Sequence, residues 1–362
     1  MMKKAGILTF HDAHNYGAVL QAYALKKYIK KLGVDAKVIN YHHYNIPDGF
    51  PRKRKIKEIS FSGIRKHIYS HKDHNLRWTK FNHFIKELVD NEERVYTDEK
   101  ELEKLDIDFW ICGSDQIWNT DITRGINKGF FLDFNTKGTK ISYAASMGIP
   151  KLEKQYEDEF VKAVNDIEYV SVREDALKQY INSLTDKEVM KVVDPTLLLE
   201  KEDYTELLNE SLIKEKYLLI YALGPDDRLT QIAKQKAEEK NLKIVELNDY
   251  KLKNYFCMQV SNAGPEEFLT LIKNAEVVVT NSFHGTIFSA LFEKDFYTIT
   301  RLNRNARMES LLDMFGMRDR LIDTLEDLEK VKVQDYENAF KNVEKEVEKS
   351  RNFLKNALKV EE

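Results

Sequence analysis

A chain of 362 residues exceeds what one hydrophobic core usually organises, and it points to about two domains. Apolar residues make up 42% and aromatics 11%, enough to build cores. A formal net charge of -3 and a pI near 6.4 give no whole-molecule argument for nucleic acid. The two cysteines, Cys112 and Cys257, exclude a disulfide framework and fit a reducing cytosol.

In chain order, "AGILTF" reads as a first strand, and the two lysines before it are not followed by the cleavage site of a signal peptide. The helix "AVLQAYALKKYIKKLG" follows, with Val19, Leu20, Tyr23, Ala24, Tyr28 and Leu32 on one stripe and Gly33 as its C-cap. "DAKVINY", "DFWICGS", "KISYAASMG", "EYVSVRE" and "MKVVDPTLLL" continue a series of short apolar runs separated by helical patterns. A second series begins at "YLLIYALG" and proceeds through "LKIVELN", "EVVVTN" and "FYTIT". This alternation is the signature of α/β units with a parallel sheet. The two series join near Asp194 to Asp203, which gives a domain over 1–200 and a second over 204–330. Their cleft is expected at the carboxyl ends of the strands.

Two stretches interrupt the alternation. An insertion over about 45–95 is basic at first ("FPRKRKIKEIS") and then rich in histidine and aromatics, and it reads as helices or a loop over the first lobe. The charged helical tail, 333–362, is expected to cross back onto the N-terminal domain. No apolar run approaches the roughly 18 to 20 residues of a membrane span.

Chemistry-bearing residues gather where strands give way to helices. In "VVVTNSFHGTIFSALF", Asn281, Ser282, His284 and Gly285 stand at such a junction, where backbone N–H groups favour an anion. His284 in that position suits a general acid or base, or a charged donor to phosphate or carboxylate. A histidine capping its own helix is the plainer alternative. At the first βα junction, "FHDAHNYGA", the residues His11, Asp12, His14, Asn15, Tyr16 and Gly17 make a loop rich in donors and acceptors. It lacks the G-x-G-x-x-G spacing of a dinucleotide site and suits a hydroxyl-bearing ligand as well as an ordinary polar turn. "CGSDQIWN" brings together Asp115, Gln116, Trp118 and Asn119, a set that can place polar groups on sugar hydroxyls and an indole under a sugar face. Ser142, Tyr143, Ser146, Arg173 and Glu174 stand at further strand ends. Arg173 suits bidentate binding of a carboxylate or phosphate; a weak surface pair with Glu174 or Asp175 is the alternative. Arg301, Arg304 and Arg307 follow the last strand of the second series; three arginines near a cleft suggest an anionic ligand, while for any single one a solvated face is the plainer reading. His42, His43 and the histidines at 67, 71, 74 and 83 show no metal-ligand spacing with a carboxylate set, and no structural metal is expected.

Taken in order, "NYGAVLQAYAL", "CGSDQIWN", "SYAASMG", "SVRED" with "VVDPTLLL", "TNSFHGTIFSALF" and "RNARMESLLDMFGMRDRLI" resemble the polysaccharide pyruvyl transferase family from residue 6 to about 322. The resemblance implies a GT-B-like arrangement of two Rossmann-like domains with parallel sheets facing across a cleft. It implies transfer of pyruvyl from phosphoenolpyruvate to a hexose of a surface polysaccharide or its lipid-linked precursor, as a ketal, with release of phosphate. His284 then matches the family's active-site histidine, and Asp115 and Asp12 are candidate bases. Arg173, Asn281, Ser282, Gly285 and Arg307 fall on the donor side, and Asn15, Tyr16, Gly17, Trp118 and Asn119 on the acceptor side. No cofactor is expected. A cytoplasmic location goes with this. The insertion falls outside the resemblance; its basic and aromatic mixture suits peripheral contact with the inner face of a membrane or with an anionic lipid-linked acceptor, and a lobe-covering helical excursion with a solvated face is the plainer reading. Rival readings are a GT-B glycosyltransferase using a nucleotide sugar and a non-catalytic sugar-binding protein of polysaccharide assembly.

Overall fold

The computed structural model describes residues 2–42, 64–224, 226–247, 257–300 and 305–360, without the side chains of 64–72, 305 and 306. The chain divides into two compact units. The first comprises Met1–Phe50, Ile85–Leu199 and Glu344–Glu362, and the second Pro51–Phe84 and Glu200–Val343.

The first unit runs β1 (Lys4–Leu8), α1 (Tyr16–Lys31) and β2 (Asp35–Val38), and then receives the end of the long helix α2 (Ile64–Leu88). It continues with α3 (Glu99–Leu102), β3 (Phe109–Cys112), α4 (Thr120–Thr123), β4 (Thr139–Ala145), α5 (Glu157–Asp166), β5 (Tyr169–Val172), α6 (Asp175–Leu184) and β6 (Val189–Lys191). The strands pair in parallel in the order β2-β1-β3-β4-β5-β6. Phe109, Trp110, Ile111 and Cys112 are all buried, as expected for a strand covered on both faces. Of "MKVVDPTLLL", Val189–Lys191 forms the strand and Pro195–Leu197 a 3-10 turn, because Asp194 caps the turn by accepting from Thr196 N at 3.0 Å.

The second unit repeats the plan with β7 (Tyr217–Tyr221), α7 (Asp227–Lys240), β8 (Lys243–Leu247), β9 (Met258–Val260), α8 (Pro265–Asn274), β10 (Val277–Thr280), α9 (Phe283–Leu291), β11 (Asp295–Ile299), α10 (Asn305–Phe315), β12 (Leu321–Ile322) and the first residues of α11 (Tyr336–Ala357). Its parallel order is β12-β11-β10-β7-β8-β9. In each sheet the first strand to form a βα unit, β1 or β7, lies between neighbours reached by chain running in opposite senses. That is the topological switch point, where open α/β sheets present a crevice at their carboxyl ends.

The insertion differs from its expected place over the first lobe. Residues of α2 as far as Phe84 belong with the second unit, because one stripe of the helix is satisfied there. Asp73 accepts from Ser261 Oγ at 2.9 Å, Lys80 pairs with Glu267 at 2.5 Å, and Arg77, Phe81 and Phe84 are buried. The basic stretch 50–60 lies outside the described residues.

Residues of α11 from Glu344 group with the first unit. Ser350 Oγ accepts from Val193 N at 2.9 Å, Arg351 donates to Leu198 O at 2.8 Å, and Phe353 packs near Tyr143 with ring centroids 6.3 Å apart. Ser350 is fully buried, so nothing replaces the bond to Val193 if its hydroxyl is removed. Ser350→Ala is therefore expected to lower the unfolding free energy of the first unit by about 1–3 kcal/mol. Urea unfolding followed by tryptophan fluorescence measures this, and an unchanged midpoint would contradict it.

Candidate active site

In the second unit, β10 is buried at all four positions and delivers the chain to the switch point between β10 and β7. The turn there is built from side chains bonding to backbone. Asn281 Oδ1 accepts from Leu223 N at 2.7 Å, which ties the end of β10 to the chain leaving β7. Thr280 Oγ1 donates to Tyr221 O at 2.7 Å and accepts from Ser282 N at 3.0 Å. Ser282 caps α9, its Oγ accepting from Gly285 N at 3.2 Å. Gly285 has no room for a larger residue: a Cβ there would stand 2.6 Å from Thr280 Oγ1 and 2.9 Å from Tyr221 Cδ1. Asn281, Ser282 and Gly285, expected as donor ligands, thus spend their side chains or their smallness on the turn itself. The turn sets the head of α9 at the strand end, with His284 in its first turn and 9% exposed.

Two neighbours of this junction escaped the sequence reading. Tyr221, at the end of β7, is fully buried and bonds to Ser282; burial pushes its phenol up to about 12 against the pull of Arg77 and that bond. It stays neutral at physiological pH. Arg77 comes from α2 and is buried, with its guanidinium 5.1 Å over the Phe81 ring. No local pattern in a helix of the insertion shows which unit it serves. Arg307 stands in α10 of the same unit and is half-buried, while Arg301 and Arg304 lie outside the described residues.

In the first unit the switch point lies between β1 and β3. Gln21 of α1 joins the two strand ends, donating to Thr9 Oγ1 at 3.0 Å and accepting from Ser114 N at 3.2 Å. Gly113, at φ +124, passes so close to β4 that a Cβ would lie 2.1 Å from Tyr143 O. Asp115 follows at φ +68, half-buried, accepting from Gln116 N at 2.8 Å. Asp12 leaves β1 and pairs with His42 Nδ1 at 3.1 Å.

Several acceptor-side expectations are corrected here. Trp118 has no exposed surface: its ring stacks on Phe131 at 5.0 Å and its Nε1 donates to Phe130 O at 3.0 Å. The indole is core, with no face left for a sugar. Asn119 is buried and caps α4, accepting from Asp121 N at 3.0 Å. Tyr16 and Gly17 are buried in the first turn of α1, and only Asn15 of that group is exposed, its Oδ1 capping Ala18 N at 3.2 Å.

Arg173, expected on the donor side, is held by two carboxylates. It belongs to the first unit, whereas Asn281, Ser282, Gly285, His284 and Arg307 belong to the second. Its guanidinium pairs with Asp194 at 2.8 Å and Glu174 at 3.3 Å, both buried or nearly so. Burial opposes the charge, but Glu174, Asp194 and Asp115 hold the guanidinium above the ordinary arginine range. The pair with Glu174 exists, but it is internal rather than a weak surface contact. Among the described residues, no group of three His, Cys, Asp or Glu side chains is placed to hold a metal ion, and no helix is long and apolar enough to cross a membrane.

The family model for polysaccharide pyruvyl transferase matches residues 15–303, which include Asp115, His284 and the whole of the second switch point, while β1 and Asp12 lie before them. The chain belongs to the polysaccharide pyruvyl transferase family. Membership makes it a transferase with a glycan acceptor. A search of curated proteins finds no match. Among solved structures, the chain is similar to a UDP-N-acetylglucosamine 2-epimerase with a TM-score of 0.54 and 10% identity, over 99% of this chain and 95% of that one. The Rickettsia bellii UDP-N-acetylglucosamine 2-epimerase gives 0.53 and 10% over 99% and 96%. S. aureus MnaA with UDP gives 0.51 and 12% over 100% and 98%. At such identities the likeness shows the fold: this pyruvyl transferase family member has a GT-B-like fold of two Rossmann-like α/β domains.

Two substitutions separate structural from ligand-binding roles. Trp118→Ala is expected to cost about 3–5 kcal/mol of stability, read as a large fall in Tm, whereas a sugar platform would leave Tm in place. Arg173→Met strands Asp194 and Glu174 without their cation and is expected to cost about 3–5 kcal/mol. A soluble Arg173→Met protein with wild-type Tm and weakened donor binding would restore the donor role.

Proposed function

We propose that this protein moves the pyruvyl group of phosphoenolpyruvate onto two hydroxyls of a hexose, in a surface polysaccharide or its lipid-linked precursor, forming a ketal and releasing phosphate. The observation that carries the reading is His284 in the first turn of α9 at the switch point of the second sheet, in a chain of this family. The donor carries a carboxylate and a phosphate, and the head of a helix favours both.

The chemistry asks for few parts. The enol carbon C3 takes a proton, which makes C2 electrophilic. A first hydroxyl loses its proton and bonds to C2. Phosphate leaves with the electron pair of its C–O bond, and a second hydroxyl, losing its proton, closes the ketal. His284 serves as the acid for C3 or as the donor that stabilises the departing phosphate. Asp115 and Asp12 are the carboxylates for the hydroxyl protons, and Arg307 supports the donor. A cytoplasmic location, at the membrane face when the acceptor is lipid-linked, accompanies this reading.

Thermal unfolding tests the donor. A ligand that binds only the folded protein stabilises it, by about 2.7 kcal/mol at 100 times its Kd. Phosphoenolpyruvate is expected to raise Tm, UDP and GDP to leave it unchanged, and His284→Ala to shrink the phosphoenolpyruvate shift. A shift with UDP or GDP instead would replace pyruvyl transfer by glycosyl transfer. A wild-type protein unmoved by phosphoenolpyruvate, with or without a hexose, would favour a non-catalytic sugar-binding protein.

A further inference from the structure

The loop that leaves β3 is almost wholly interior. From Gly113 to Thr120 every residue is buried except Asp115 and Gln116, which are half-buried. The main chain of the loop is latched to the end of β4: Ser146 N donates to Asp115 O at 3.0 Å, and Trp118 N donates to Ser146 O at 3.2 Å. Ile117 and Trp118 have no exposed surface and anchor the loop in the core. The two polar side chains thus stand on a rigid support at the switch point of the first sheet, where open α/β sheets receive their ligands.

A relay sets the polarity of the Gln116 amide. It starts at the head of α4, where Asn119 Oδ1 accepts from Asp121 N at 3.0 Å and from Ile122 N at 3.4 Å. Those bonds fix the Asn119 amide, and its Nδ2 donates to Gln116 Oε1 at 3.2 Å. The same Gln116 oxygen lies against Gly148, where a Cβ would stand 2.0 Å from it. The oxygen end of the amide is therefore committed. The other end, Nε2, carries two N–H groups and has no acceptor among the described residues. Asp115 beside it accepts from Gln116 N through Oδ1 at 2.8 Å, and its Oδ2 has no donor among the described residues.

An uncommitted donor and an uncommitted acceptor on adjacent residues match hydroxyl groups, which both give and take a hydrogen bond. The Asp115 carboxylate disfavours a second anion at this place, so the fit is to the neutral hexose rather than to the phosphate or carboxylate of the donor. We propose that Gln116 is an acceptor-binding residue. Its Nε2 donates to a hydroxyl oxygen of the hexose next to the hydroxyl that Asp115 holds. Asn119 is the positioning residue that keeps the N–H end of Gln116 free for the sugar. The assignment rests on the pyruvyl-transfer reading. A hexose without that hydroxyl leaves the N–H groups unmet and is discriminated against.

The test measures phosphate release from phosphoenolpyruvate with a panel of p-nitrophenyl hexopyranosides, for wild type, Gln116→Glu and Asn119→Asp. Tm and the phosphoenolpyruvate-induced Tm shift are read alongside. Gln116→Glu keeps the oxygen that Asn119 binds and replaces the N–H end by an oxygen. Asn119→Asp keeps the cap on α4 but turns an oxygen towards Gln116, so the Gln116 amide reverses and offers its own oxygen to the sugar. Each variant is expected to lower kcat/KM for the glycoside at least about 10-fold, mainly through KM, while Tm and the donor-induced shift stay as in wild type. A glutamine that only props the loop would give wild-type turnover in Gln116→Glu, because the bond from Asn119 is retained. A kcat/KM within about threefold of wild type in either folded variant overturns the assignment alone, and so does a loss matched by falls in Tm and in the donor shift. Asn119→Asp decides the matter if Gln116→Glu does not fold. A wild-type protein that releases no phosphate with any glycoside of the panel overturns the transfer reading, and the assignment of Gln116 falls with it.

Discussion

The carboxyl end of the first sheet depends on one buried cation. Arg173 follows β5 and pairs with Asp194, which follows β6, and with Glu174 beside it. Asp194 in turn accepts from Ser114, after β3, and Glu174 accepts from Ser146, after β4. Four strand ends are thus referred to a single guanidinium. Desolvating that charge is costly, and the cost is offset only because both carboxylates are in place and are themselves hydrogen-bonded. The loop carrying Asp115 therefore inherits its geometry from a residue that is itself buried in ion pairs.

The second sheet solves the same problem with neutral groups. Asn281 and Thr280 bond to the backbone of Leu223 and Tyr221, and Ser282 caps α9. Neutral side-chain bonds to backbone carry a smaller desolvation penalty than a buried ion pair. They also leave no fixed carboxylate in the turn to repel an anion. An anion-binding helix head gains from that choice, whereas a site for sugar hydroxyls tolerates carboxylates and benefits from them. The two switch points differ in the chemistry of their supports as well as in sequence.

The sequence revealed both series of α/β units because buried parallel strands read as short apolar runs and the helices keep a 3.6-residue period. It revealed His284 because the change from one period to the other is sharp at Thr280 to Gly285. It failed where meaning depends on contacts distant in the chain. Arg173 beside Glu174 looks like a surface pair until Asp194, 21 residues on, is seen against it. Trp118 sits among polar residues in a loop, and nothing local shows that Phe131 takes its face. The stripe Asp73, Arg77, Lys80 and Phe81 of α2 is periodic, but periodicity gives no address, and the stripe is satisfied in the second unit.

Ketal formation also explains why supports of both kinds are useful in one chain. The proposed reaction takes two protons from hydroxyls and gives one to carbon, so it needs a group that accepts and a group that donates. A histidine serves either purpose according to its neighbours. His42 faces Asp12 and Asn40, and burial together with His11 outweighs Asp12 and holds its imidazolium below the ordinary histidine value. His284 stands at the head of a helix, next to a turn held by Asn281 and Ser282 without a carboxylate. The two strand ends thus give the same side chain different neighbours, a carboxylate and an amide for His42 and a helix head for His284.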